Sequence, residues 1–452
     1  MTSQLYCRRE LRLWTCKREI LKFWSNKANR PAALVRNAGA VAFCFGTFHS
    51  GFAQESLRLS MTGEEAAAAR RYAAATVGYY NLKWQDTEWR FNGELGIGGT
   101  DNVQATGGFG ATGGDLFFQP QLITAMRWPL TMKNTLSFTA GTGYTEYTLH
   151  PKLSRYYLTP GSELAFDLNV GNILIDFHER PAIQQNAVQD PSYTGGNYLR
   201  FQNTTGVQAT WDMNRLTLRC GYDHVTYTSL DTGSLYPDGQ TESFFLSAGY
   251  SPKAGRTFGL EGGISLLSYQ YPKMGLGTPT GGTQINEGGF WTDQLTDHFQ
   301  VQAHVGYTTF SPEVFGVTTG LPDSGSLYLS LVLTHQLNEK LKHSLTVSRM
   351  VTLALYGGNY EIESIGWSPN WNLLRNISVT TPIQFQRWAP VSNSSTSGSG
   401  SYNLFSAGAT FSRALGPRFN SSLAYQFYSR ETSTARYSYL ANTLTLSFSY
   451  RF

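Results

Sequence analysis

Long apolar runs are missing from this chain. Nowhere do its 452 residues supply the roughly 18 consecutive apolar residues that a membrane-crossing helix requires, so helical spanning is excluded. Charge is scarce too, at 15% of residues, which is low for a soluble protein of this length. Cysteine is scarcer: Cys7, Cys16 and Cys44 fall within residues 1–53, and beyond them only Cys220 remains, so an internal disulfide framework and a Cys-based metal site are excluded. Phe43 stands before Cys44, where lipoprotein signals want a small residue, so lipidation at that cysteine is not expected. An excess of one sign of charge is lacking as well. Of 35 Lys and Arg and 31 Asp and Glu, nine and two lie in residues 1–53, leaving 26 basic against 29 acidic residues and a balance of −3. That balance gives no support to nucleic-acid binding.

What is present is aromatic and alternating. Tyr and Phe number 26 and 27, aromatics reach 14%, and mean hydropathy is nonetheless slightly negative at −0.28. A transmembrane β-barrel reconciles these values, because only every second residue of each strand needs to be apolar. Trp89, Phe91, Leu95 and Ile97 alternate with Arg90, Asn92, Glu94 and Gly96, and Leu164, Phe166, Leu168 and Val170 oppose Glu163, Asp167 and Asn169. The same period of two runs through Leu199 to Trp211, Leu216 to Tyr222 and Phe299 to Val305. The last nine residues place Leu444, Leu446, Phe448, Tyr450 and Phe452 on one face of a strand and end on phenylalanine. That ending is how an outer-membrane barrel closes, and Phe448, Tyr450 and Phe452 are read as its C-terminal assembly signal.

Connections alternate in length. Short polar turns are predicted near Thr131 to Asn134, Gly171-Asn172, Asp212 to Arg215, Ser251 to Arg256, Thr296-Asp297, Asn338 to Lys340, Trp371 to Arg375 and Leu415 to Arg418. Between them fall longer Gly/Ser/Pro/Asn-rich connections, three of them beginning at Arg180, Tyr271 and Phe310, any of which could fold inward to constrict a pore. Keeping this alternation requires a strand over Glu287 to Leu295. The expected fold is therefore an all-β, antiparallel up-and-down transmembrane barrel of about 18 strands, with 16 as the alternative and both termini in the periplasm. A secreted β-sandwich, propeller or β-helix is the soluble competitor, but no fixed repeat supports the last two.

Residues 1–53 read as a basic leader and secretory signal, with an apolar segment from Ala38 to Phe48 and a cleavage point after Ala53. Residues 54–78 are expected to be a short periplasmic segment and 79–452 the barrel. The interval from Gln54 to Trp89 is too short for the plug domain of an energy-coupled receptor.

Candidate sites follow from the polar face of the strands. Arg90, Asn92, Glu94, Glu163, Asp167, Asp176, Arg200, Gln202, Arg219, Gln300, Gln302, Gln384 and Gln426 fall opposite the apolar residues of their strands, so a barrel places them along its lumen. Their mixed signs imply a hydrated interior without strong ion selection; the bland alternative is that they pair across a closed interior. Trp128, Tyr144, Trp211, Tyr307, Trp367 and Trp388 sit near strand ends, where interface girdles are expected. Catalysis finds no support. Asp223 and His224 are neighbours on a strand and face opposite sides, Asp297-His298 is a turn, and no HExxH or paired His/carboxylate spacing occurs. Gly108 to Gly113 matches GxGxxG in letters only, since a loop precedes it and strand-like Asp115 to Phe118 follows. No catalytic residue, metal ligand or cofactor is expected.

The run Thr100-Asp101-Asn102-Val103, the pair Gly114-Asp115 and the Trp128-Pro129-Leu130-Thr131 turn resemble the porin-type-2-like family of outer-membrane β-barrel proteins of Gram-negative bacteria. The Gly-rich first strand, Gly96 to Gly99, departs from that pattern. The resemblance implies a non-enzymatic outer-membrane channel for passive passage of small hydrophilic solutes or, as in some relatives, for exit of an exopolysaccharide. The alternatives are a non-conducting surface-binding or structural barrel and, further off, an outer-membrane hydrolase. Expected partners are outer-membrane lipid and lipopolysaccharide, the outer-membrane assembly machinery, and a polysaccharide or small hydrophilic solute.

Overall fold

The structure is a computed structural model that describes residues 80–103, 113–187, 197–230, 238–270, 280–314, 324–353, 359–390, 401–432 and 438–452. The leader, the 54–78 segment and residues 108–112 of the GxGxxG-like loop lie outside these residues.

Period-two patterning gives strands throughout. In chain order they are β1 (Thr87–Thr100), β2 (Asp115–Pro129), β3 (Thr135–Tyr147), β4 (Arg155–Leu158 with Glu163–Val170), β5 (Ile173–Ala187) and β6 (Asn197–Met213). Next come β7 (Leu216–Ser229), β8 (Asp238–Lys253), β9 (Arg256–Gln270), β10 (Thr280–Thr296), β11 (Phe299–Val314) and β12 (Ser324–Gln336). The series ends with β13 (Leu341–Leu353), β14 (Asn359–Leu374), β15 (Ile377–Thr380 with Ile383–Pro390), β16 (Tyr402–Ala414), β17 (Phe419–Thr432) and β18 (Tyr439–Arg451). Each pairs antiparallel with its neighbours in sequence, and β1 pairs with β18 from Asn92 opposite Arg451 to Thr100 opposite Thr443. The sheet is thus a closed barrel of 18 strands, without an open edge along that pairing.

Two strands are broken in mid-course, each at a proline. Proline has no N–H to give to the ladder, and Pro160 and Pro382 mark the gaps in β4 and β15. Side-chain and carbonyl groups bridge the breaks: Gly141 N–H donates to Ser162 Oγ at 3.2 Å, and Gly408 N–H donates to the Pro382 carbonyl at 2.8 Å.

Turns at one rim are short. Gly171 and Asn214 take positive φ at the first position of two-residue hairpin turns, a geometry the right-handed strand twist favours, and Gly255 takes positive φ at the second position of a third, beside a register shift. Asn338 Oδ1 accepts from the N–H groups of Lys340 and Leu341, holding the turn between β12 and β13. The described chain enters β1 and leaves β18 at this same rim. Long connections occupy the other. There the strands outrun the sequence reading: β5 continues to Ala187, β10 begins at Thr280 and β11 reaches Val314. Arg180 is therefore a strand residue opposite Thr204 and not the start of a loop. Gly-, Pro- and Asn-rich strand ends read as loop in one dimension, yet the ladder holds them. At the short rim, Trp371 to Leu374 likewise stay in β14, and the turn narrows to residues 375–376.

Outward-facing residues are apolar and exposed. Register places Leu95 beside Phe448 and Pro120, Phe177 beside Val207, Tyr222 beside Phe244 and Leu329 beside Val305 on one continuous face. Leu116, Leu246, Leu260, Val305, Leu327 and Leu444 on that face are each more than half exposed. An apolar belt of this extent is untenable in water and is what lipid contact requires. Trp128, Trp211, Tyr307 and Trp367 stand exposed on this face, and Tyr144 shares it. Trp388 does not: it points inward, 3% exposed, because its parity is that of Gln384 and Gln386. Among the described residues no helix is long and apolar enough to cross a membrane.

Candidate channel lining

The opposite parity faces the interior, and all thirteen residues singled out from the sequence fall there. Arg90, Asn92 and Glu94 lie on β1, Glu163 and Asp167 on β4, Asp176 on β5, Arg200 and Gln202 on β6, and Arg219 on β7. Gln300 and Gln302 lie on β11, Gln384 on β15 and Gln426 on β17. The fold gathers some of them and leaves others apart. Arg180 Nε donates to Glu163 Oε1 at 2.8 Å, and Asp167 is the register partner of Asp176. Arg200 donates to Gln202 at 2.9 Å and lies 5.2 Å over the Tyr227 ring. The glutamines of β11, β15 and β17 stand on another stretch of wall.

The charged stretch is organised by His178, which the sequence reading passed over. Both ring nitrogens of His178 face carboxylates, Nδ1 at 2.8 Å from Asp176 and Nε2 at 3.0 Å from Asp223. A carboxylate only accepts, so the imidazole donates on both sides. This contact passes over Gly206, the residue opposite both His178 and Asp223. A Cβ at Gly206 would lie 2.1 Å from Asp223 Oδ1 and 2.6 Å from His178 Nε2, so only glycine leaves room for it. The arrangement recurs. Tyr157 crosses Gly143 to donate to Gln121 at 3.1 Å, and Tyr328 crosses Gly306 and Gly288 to donate to Glu261 at 2.9 Å. Glu261 also meets His304 Nδ1 at 2.9 Å. Phe245 lies over Gly221 in the same way. Large inward side chains are thereby laid flat along the wall instead of standing into the space it encloses.

One inward group is different. Tyr360, Ile362, Trp388, Tyr402 and Leu404 form a buried cluster on β14 to β16 toward the long-loop rim. Trp388 stacks on Tyr402 with centroids 5.3 Å apart, and Arg430 lies 4.4 Å over the Tyr402 ring. This cluster thickens one side of the barrel.

The geometry offers no reaction centre among the described residues. Asp223 points inward while His224 points outward to Glu242 at 2.7 Å, so the adjacent pair is split between the two faces. His178 has no exposed side-chain surface with which to meet a substrate. No group of three or more His, Cys, Asp or Glu residues able to hold a metal is found among the described residues. The connections beginning after Ala187, Gln270 and Val314 lie outside the described residues, and with them the expectation that one folds inward.

Fold and lining together define a membrane-type β-barrel of 18 antiparallel strands, with an apolar exterior and a polar interior. No family model and no curated protein matches the chain. Several solved structures are similar to it. OccK2 (OpdF) of Pseudomonas aeruginosa, solved in complex with glucuronate, shares 11% identity over 81% of this chain and 99% of its own, with a TM-score of 0.45. A BenF-like porin from Pseudomonas fluorescens Pf-5 shares 12% over 81% and 99%, at 0.46. OccAB3 of Acinetobacter baumannii shares 10% over 80% and 99%, at 0.45. The barrel assignment rests on this chain's own strand pairing.

Proposed function

We propose that this protein is a non-enzymatic outer-membrane channel of a Gram-negative bacterium through which small hydrophilic solutes pass passively. The observation that carries the proposal is the wall itself. Eighteen strands enclose a space too wide for side chains to fill, and the large inward residues His178, Tyr157, Tyr328 and Phe245 lie along the wall over glycines. A barrel meant to be solid would gain from turning those rings inward; this one turns them flat. The short-turn rim then belongs in the periplasm and the long connections outside, with lipopolysaccharide around the outer rim and the assembly machinery engaging Phe448, Tyr450 and Phe452. Exit of an exopolysaccharide uses the same opening at larger calibre.

A second reading has its own observation. Inward charges are paired (Glu163 with Arg180, His178 with Asp176 and Asp223), and the Trp388 cluster occupies part of the cross-section near one rim. Those features favour a narrowed barrel that binds a partner through its loops and conducts little. Single-channel recording of the refolded protein in a planar bilayer separates the two. Stable steps with weak cation-to-anion discrimination are expected for the channel; a folded, heat-modifiable barrel that passes no current would leave the surface-binding barrel in its place.

A further inference from the structure

The acids of the inner face are confined to one side of the barrel. Among the described residues, the inward positions of β10 to β18 include no Asp or Glu; Glu287, Asp293, Glu313, Glu361, Glu363 and Glu431 on these strands all have outward parity, and the buried Asp293 is held by Arg256 at 2.7 Å. The bases on this wall are set at its margins. Lys342 and Arg451 stand at the short-turn rim, Arg430 is buried over Tyr402 toward the other, and His304 is engaged with Glu261 across the sheet. Below the Trp388 cluster, the wall between those margins offers amides and hydroxyls beside apolar groups such as Val332, among the polar ones the half-buried Gln302, Thr346, Gln384, Gln426 and Thr445.

Amide and hydroxyl side chains both donate and accept, so they can exchange hydrogen bonds with any hydroxyl group that replaces water beside them. A charged solute beside the same groups loses hydration and gains no counter-charge. On β4 to β9, Glu163 is already engaged by Arg180, Asp176 and Asp223 by His178, and Glu261 by His304. We infer that the acid-free wall of β10 to β18 is a path for uncharged polyhydroxylated solutes, that is, for neutral carbohydrate. This inference rests on the channel reading and names its solute class.

Three isosteric hexoses test it: glucose, glucuronate and glucosamine, isotopically labelled and offered at equal concentration to vesicles holding the full-length folded protein. Salt on both sides shunts any potential. Glucose is expected to enter about threefold or more faster than either charged analogue. Gln384→Glu, which places an acid on the neutral wall, is expected to raise glucosamine uptake relative to glucose while the barrel stays heat-modifiable. Equal or faster uptake of glucuronate or glucosamine by the unaltered protein overturns the carbohydrate inference and leaves the channel standing. Failure of all three hexoses to enter, together with absence of ion current, removes the channel reading and the inference with it. Ion current without glucose uptake overturns the inference alone.

Discussion

A glycine at the centre of a strand gives up side-chain packing and adds backbone entropy to lose, so its presence needs a local reason. At Gly206 the reason is the His178–Asp223 contact passing directly over it. Gly206→Ala forces a methyl group into that hydrogen bond and leaves buried polar atoms unpaired. The expected loss is about 1–3 kcal/mol, read as a lower midpoint in denaturant unfolding from detergent. Gly366→Ala is the matched control, because its added Cβ meets nothing closer than 3.7 Å, and it is expected to leave the midpoint nearly unchanged. Cys220 reports on the other face. It is exposed and lies on the outward row between Leu246 and Ala209, the only cysteine beyond residue 53. In vesicles a charged maleimide is expected to leave it unlabelled and to label it once the barrel is unfolded. Labelling of the folded protein at the unfolded rate would place Cys220 in water and contradict the lipid-facing belt.

Strand existence and strand face were legible in the sequence for a single reason: the period of two survives wherever one side meets lipid and the other water. The thirteen polar residues took their common face from that period alone. Partnership was not legible. Whether His178 meets Asp223 depends on the register of β5, β6 and β7, and register is set by turns and ladders that couple residues 45 apart. The proline breaks in β4 and β15 were equally hidden, since each leaves the flanking pattern intact. The seam adds another element that periodicity could not supply. Leu82–Trp84 pairs with β1 from Leu82 opposite Trp89 to Trp84 opposite Thr87, below the point where β18 ends. It thus fills the edge of β1 that β18 leaves open. Asn81 ties the junction: its Nδ2 donates to the carbonyls of Phe91 and Phe452, and its Oδ1 accepts from Phe91 N–H at 3.2 Å. Asn81→Ala is expected to lower the temperature at which the barrel loses its heat-modified mobility on a gel, whereas a serine at Asn338, in a turn far from the seam, is expected to shift it less.

At the scale of the whole molecule, the open and narrowed readings differ over one side of the wall. The glycine-crossed contacts spread around β2 to β12 keep side chains close to the backbone, and the Trp388 cluster on β14 to β16 does the opposite. Packing explains the contrast. No glycine lies opposite Trp388, whose partners in register are Ile362 and Tyr402, so its ring stacks against neighbours and occupies interior volume. Trp388→Ala removes that volume along with a buried ring. Stability is expected to fall by about 3–5 kcal/mol, within the range for large-to-small changes in a packed cluster. Single-channel conductance is expected to rise, because the deleted ring borders the space through which ions move. An unchanged conductance in a protein that is measurably less stable would place the narrowest point elsewhere along the lumen, and the cluster would then serve packing of the long-loop rim rather than calibre.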